Sequence, residues 1–129
     1  MKKYNCILLV DDDLVSCFLN KEILTTLELS DHIHTVGNGE EALHFIVENR
    51  KKQNPCPDLI FLDINMPAMD GFQFLSEMQK LKEEHLQIAK IIILTSSNSP
   101  IDRNHAARYN ISGYINKPLA WENLEVFLT

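Results

Sequence analysis

Cysteine, tryptophan and glycine are all scarce in this 129-residue chain, with three, one and four copies. Cys6, Cys17 and Cys56 are odd in number and lack C-x-x-C or zinc-ligand spacing, so neither a disulfide framework nor a structural zinc is expected. Cys6 and Cys17 stand among apolar neighbours and read as small buried hydrophobes, which suits a reducing compartment. Long apolar runs are also missing. Ile7-Leu8-Leu9-Val10 stops after four residues at three aspartates. That is too short for a signal-peptide core behind Met1-Lys2-Lys3 and far too short to span a bilayer. The expectation is a cytoplasmic protein with no membrane association. Basic charge is short as well: 12 Lys and Arg against 18 Asp and Glu leave a net charge of −6. The densest basic run, Arg50-Lys51-Lys52, lies beside Glu48, whereas phosphate-backbone binding needs a concentrated positive patch. No direct nucleic-acid partner is expected. There is no repeat, low-complexity tract or linker, and the length suits one domain over residues 1–129.

Hydrophobic residues make up 45% and charged residues 23% of the chain, enough to build a core without staples. The apolar residues come in two rhythms. Continuous runs at Cys6 to Val10, Asp58 to Ile64 and Lys90 to Thr95 predict strands covered on both faces. Ile111 to Asn116 is a shorter candidate, and His32 to Val36 alternates like a strand nearer an edge. Between them lie helical patterns. Leu14 to Leu27 places Val15, Phe18, Leu19, Ile23 and Leu27 at helical spacing, read as the inward face. Asn38-Gly39 opens a second helix, with Glu40 and Glu41 favourable in its first turn and Ala42, Phe45 and Ile46 on its apolar side. Phe72 to Leu81 turns Phe74, Leu75, Met78 and Leu81 inward. Ser99 caps a helix with Pro100 in its first turn, running to about Tyr109, and Pro118 to Leu128 holds a last short one. Long connections are expected over Asn49 to Pro57 and Glu83 to Gln87. Strand–helix alternation repeated five times predicts an α/β fold, a doubly wound five-stranded parallel sheet with helices on both faces.

In such sheets ligands bind beyond the carboxyl ends of the strands. Asp11-Asp12-Asp13 follows the first strand and Asp63 ends the third. Thr95-Ser96-Ser97 ends the fourth, and Lys117-Pro118 follows the fifth. Asp13 is also a natural helix cap. Carboxylates gathered from neighbouring strands repel one another unless a cation compensates. A hard divalent cation such as Mg²⁺, which takes one or two carboxylates, waters and a phosphate, suits them. A lysine and a threonine hydroxyl suit a phosphoryl group, and an aspartate carboxylate is a competent nucleophile. His32 and His34 read as partly exposed strand residues, not ligands.

The segments V-D-D-D at 10–13, F-L-D-I-N-M-P-A-M-D-G at 61–71, I-I-L-T-S-S at 92–97 and G-Y-I-N-K-P at 113–118 closely resemble the receiver domain of two-component response regulators, in particular stand-alone, chemotaxis-regulator-like ones. The resemblance implies a flavodoxin-like sheet order 2-1-3-4-5. It implies Asp63 as phosphoacceptor, Asp12, Asp63 and the Asn65 carbonyl as Mg²⁺ ligands, and Asp11 acting through a metal-bound water. It further implies Thr95 and Lys117 on the phosphoryl oxygens, Thr95 and Tyr114 as switch residues, and a cis Lys117–Pro118 bond. The donor would be the phosphohistidine of a sensor histidine kinase or histidine phosphotransfer protein. Chemistry would be limited to self-phosphorylation and slow self-dephosphorylation, with output through an unidentified protein target. Met66-Pro67 and Asp70-Gly71 would shape the loop after Asp63, Gly71 starting the next helix from a tight turn. Two alternatives differ in class: a small Asp-nucleophile Mg²⁺-dependent phosphatase, and a pseudo-receiver that binds partners without phosphorylation.

Overall fold

The computed structural model describes residues 3–53, 57–65, 70–83 and 89–128. Its elements in chain order are β1 (Ile7–Val10), α1 (Leu14–Thr26), β2 (Ile33–Val36), α2 (Gly39–Lys51), β3 (Leu59–Leu62), α3 (Gly71–Glu83), β4 (Lys90–Thr95), α4 (Pro100–Ala106), β5 (Gly113–Asn116) and α5 (Trp121–Leu124), followed by a 3₁₀ turn at Glu125–Phe127. The strands pair in parallel in the order β2-β1-β3-β4-β5, as the resemblance implies. Each expected strand appears, β4 at its full expected length and the others shorter by one to three residues. Met66-Pro67, Cys56 and most of the expected 83–87 connection lie outside the described residues, as does the Leu81 side chain.

Continuous apolar runs become central strands because both faces of the sheet are covered. All four residues of β1 and of β3 are buried. Their side chains alternate with period two. Ile7, Leu9, Leu59, Phe61, Ile92 and Leu94 meet Leu24, Leu124 and Leu128 in one core. Leu8, Val10, Ile60, Leu62 and Ile93 meet Ala42, Ile46, Phe74, Leu75 and Ala106 in the other. Each fully buried Leu, Ile or Phe contributes about 1.5–3 kcal/mol.

Sequence-local signals set the helix starts. Asp13 accepts from the Val15 and Ser16 amides at 3.0 and 3.3 Å and caps α1. Asn38 accepts from the Glu41 amide at 2.9 Å and caps α2. Ser99 caps α4, with Pro100 in its first turn. That helix closes at Ala106 and continues only as turns to Tyr109, and the last helix is a single α turn plus the 3₁₀ turn. Helix α2 runs to Lys51, which takes three residues from the expected long loop. Gly71 starts α3 for a reason other than a left-handed turn. A Cβ there would lie 2.6 Å from the Ile64 Cα and 2.8 Å from the Asp63 carbonyl oxygen, so close backbone approach requires glycine.

One expected face is wrong. Val15, Phe18 and Leu19 point outward, Phe18 being 64% exposed, and the buried residues of α1 are Cys17, Asn20 and Leu24. Ile23 and Leu27 do pack on the core. At about 100° per residue the five apolar positions cover roughly half the helix circumference. The pattern therefore leaves the rotational phase open. The Asp13 cap and the Leu24 contact set it, and they turn the small residues 17 and 20 toward the end of β1.

Candidate functional site

Register brings the site together. Val10 pairs with Leu62, so Asp11 and Asp63 leave neighbouring strands at the same level. The Asp63 amide still donates to the Val10 carbonyl at 2.9 Å. Thr95 pairs with Asn116 at the end of β4 and β5, and the Lys117 amide donates to the Thr95 carbonyl at 2.9 Å. The Lys117–Pro118 bond is cis. From there the lysine crosses the strand ends: its Nζ donates to Asp11 Oδ2 at 2.6 Å and to Asp63 Oδ2 at 3.4 Å.

Asp11 and Asp63 are buried, Asp12 is exposed, and carboxylate oxygens of all three lie within 4.8 Å of one another. One oxygen of each buried carboxylate is oriented by backbone: Asp13 N–H donates to Asp11 Oδ1 at 2.9 Å, and Asn65 N–H to Asp63 Oδ1 at 3.1 Å. Burial pushes the Asp63 carboxyl above the ordinary range, and repulsion from Asp11 adds to this. The Asn65 amide, the Lys117 charge and the Thr95 hydroxyl pull it back only in part. For Lys117, burial alone would lower the pKa, but the hydrogen bond to Asp11 and the nearby carboxylates outweigh it, and the net shift is upward. Burial, then Asp11, raises the neighbouring Cys17 thiol to about 11, so it stays S–H and donates to the Asp11 carbonyl at 3.3 Å.

Three carboxylates against one ammonium are an excess of negative charge, and one member faces solvent. That donor set fits a hard, oxygen-preferring divalent ion with part of its shell left to water. Among the described residues this is the one grouping of three potential ligands. It contains no histidine, and His32 and His34 are exposed on and beside the edge strand.

Thr95 is fully buried, with its Oγ1 accepting from the Ser97 amide at 3.2 Å. Tyr114 is the second residue of β5, pairing with Ile93. Its hydroxyl donates to the Ser97 carbonyl at 3.3 Å, and the Arg103 guanidinium lies 4.4 Å over its ring. Sequence reasoning missed Asn116 and Asp102, which hold this corner. Asn116 Nδ2 donates to the same Ser97 carbonyl at 2.7 Å, and Ser97 Oγ donates to Asp102 at 2.6 Å. Asn116 stands two residues from Tyr114, so the period-two rule puts both on one face. On the other side of the carboxylates it also missed Asn20, a buried amide on α1, for which the apolar periodicity carries no signal.

A profile of the response regulator receiver domain matches residues 7–129. The chain belongs to this family. The receiver is 30% identical to the probable C4-dicarboxylate response regulator DctR of Bacillus subtilis, over 92% of this chain and 48% of that protein. It thus spans about half of that relative's length. It is 29% identical to the response regulator Rcp1 of Synechocystis, over 86% of this chain and 75% of that one. A two-component response regulator from Cytophaga hutchinsonii has the same fold, with a TM-score of 0.83 and 27% identity over 98% of this chain and 95% of that one. The Mn²⁺-bound form of Rcp1 superposes with a TM-score of 0.73 at 25% identity, over 96% and 88% of the two chains. No helix among the receiver's described residues is long and apolar enough to cross a membrane.

Proposed function

We propose that this receiver takes a phosphoryl group onto Asp63 from a phosphohistidine of a sensor histidine kinase or histidine phosphotransfer protein, and signals by phosphorylation-controlled protein contact. The observation that carries the proposal is the Lys117 ammonium shared between Asp11 and Asp63 beside the exposed Asp12, on converging strand ends. In the proposed step a carboxylate oxygen of Asp63 forms the new bond to phosphorus. The phosphorus–nitrogen bond of the donor breaks, and its electron pair returns to the imidazole. Phosphoryl transfer has a loose transition state, so catalysis is chiefly positioning and charge neutralisation. Lys117 would supply a fixed positive charge, and the Thr95 hydroxyl, buried at the end of β4, would donate to a phosphoryl oxygen. Mg²⁺ would be held by Asp12, Asp63 and the Asn65 carbonyl, with Asp11 acting through a bound water, and would supply further neutralisation of the phosphoryl oxygens. The protein would work in the cytoplasm, with no turnover chemistry beyond loss of its own phosphoryl group.

The outward face of α1 supports a protein donor. Leu14, Val15, Phe18 and Leu19 form an exposed apolar stripe beginning three residues after Asp11, where a partner presenting its phosphohistidine to Asp63 would rest. Tyr114 and Thr95 form the proposed switch. The Ser97 carbonyl, which accepts from both Tyr114 and Asn116, links the Thr95 loop to the ring.

Acetyl phosphate with Mg²⁺ should add one phosphoryl group, read by intact mass, and Asp63→Asn should abolish the addition. Phe18→Ser should leave that labelling intact but slow transfer from a phosphohistidine protein by about tenfold, the effect of losing a buried aromatic contact. Full labelling of the Asp63→Asn protein refutes the assignment. Turnover of many equivalents of an aryl phosphate would favour a phosphatase instead.

A further inference from the structure

Directly beneath the carboxylates lies a cavity of about 10 Å³, the space of a single water site. Asp11, Cys17, Asn20 and Asp63 form its polar wall, and Leu9 and Phe61 form part of its apolar wall. Each of these six residues is more than nine-tenths buried. Asn20 is the anomaly among them. It occupies a position on α1 between Cys17 and Leu24 where an apolar side chain would serve packing. Its side-chain amide nitrogen makes one long 3.4 Å contact, to Ser16 Oγ. Buried amides are almost always satisfied by protein or by ordered water. A pocket of this size with two to four polar neighbours meets the conditions for a buried water. Carboxylates have about four acceptor positions each. Lys117 and the Asp13 amide donate to Asp11, one to each carboxylate oxygen, so both oxygens keep acceptor capacity.

We propose that Asn20 fixes one buried water in this cavity and, through it, acts as a positioning residue for the Asp11 and Asp63 carboxylates. The functional half of this inference rests on the metal and phosphoryl reading above; the water site itself does not. Lys117 binds both carboxylates from one side. A water tied to α1 from the other side would oppose that pull and hold the oxygens in place before a cation or phosphoryl group arrives. Such preorganisation is what supporting groups behind metal ligands provide, and their removal typically weakens metal binding by about tenfold or more.

The test compares Asn20→Leu, nearly isosteric but apolar, with Asn20→Ser, which keeps a polar group and leaves more room for water. Water–amide cross-relaxation in the wild-type NMR spectrum should reveal one long-lived water near the Cys17 and Asn20 amides. It should persist in Asn20→Ser and vanish in Asn20→Leu. Mg²⁺ affinity, followed by the Asn65 amide shift, should fall about tenfold in Asn20→Leu and stay near wild type in Asn20→Ser. The urea midpoint of Asn20→Leu should stay near wild type, since the amide and its water are replaced together by an apolar group of similar shape. Absence of a long-lived water in the wild type overturns the proposal. An Asn20→Leu protein that lacks the water yet binds Mg²⁺ as the wild type does overturns the positioning role. A wild-type protein that holds the water but binds no Mg²⁺ overturns the metal assignment and the positioning role, while the water site stands.

Discussion

Neutralising Asp63 should stabilise the metal-free protein even as it removes the proposed phosphoacceptor. The attraction of Lys117 at 3.4 Å is about 5 kcal/mol at an effective dielectric of about 20. Repulsion from Asp11 at no more than 4.8 Å is at least about 3.5 kcal/mol on the same basis. Asp12, exposed, adds a screened repulsion of the same sign. These charge interactions nearly cancel, so desolvation of a buried carboxylate decides the balance, in line with the upward shift of the Asp63 pKa led by burial. Asparagine in the same shape keeps an oxygen for the Asn65 amide and loses the desolvation cost. The expected gain is about 1–2 kcal/mol, within the range for relieving functional strain. That corresponds to a rise of roughly 3–10 °C in midpoint for a domain of this size. A raised carboxyl pKa also means that the folded state binds the proton more tightly than the unfolded state. Wild-type stability should therefore fall as pH rises from the ordinary value of 3.8 through the raised one, and the advantage of Asp63→Asn should open over that window and persist above it. Thermal and urea melts in chelator at several pH values measure this directly. Added Mg²⁺ should stabilise the wild type and leave Asp63→Asn almost unchanged. An Asp63→Asn protein less stable than the wild type in chelator at neutral pH would refute the argument, because Lys117 attraction would then exceed burial and repulsion together.

Lys117→Met should lower stability by about 2–3 kcal/mol at pH 8, since it leaves two buried carboxylates without their cation. Because the folded-state pKa of Lys117 is raised above 10.5, its contribution is fully present below 10.5 and lost as pH climbs through the raised value. Urea midpoints of the two proteins should therefore converge above pH 10.5; a gap that stays constant would contradict this. Gly71→Ala should cost about 1–3 kcal/mol and reduce acetyl phosphate labelling, because the new Cβ must displace the Ile64 and Asp63 backbone at 2.6 and 2.8 Å; calorimetry and intact mass check the two effects.

Side-chain chemistry and local rhythm were enough to foretell much of this domain. Continuous apolar runs mean strands covered twice, and β1 and β3 are buried throughout. Asp13, Asn38 and Ser99 act as caps because their short acceptors reach amides two or three residues on, a relation confined to one turn of chain. The placing of Asp11, Asp63, Thr95 and Lys117 at strand ends was legible for the same reason: strand ends can be counted along the chain. What the chain order left open was which strands neighbour which and in what register, and only the resemblance supplied the order. The pairing of Val10 with Leu62 and of Thr95 with Asn116 is what turns four separated residues into one charged cluster, and no local property of either strand encodes it. The phase of α1 was likewise undetermined, because an apolar arc of half a turn fits the sheet in more than one rotation. Tertiary contact at Leu24 chose one, sending Phe18 and Leu19 to solvent and Asn20 inward. Residues whose roles depend on packing across elements, Asn20 under the carboxylates and Asn116 on the Ser97 carbonyl, became visible only when the elements came together.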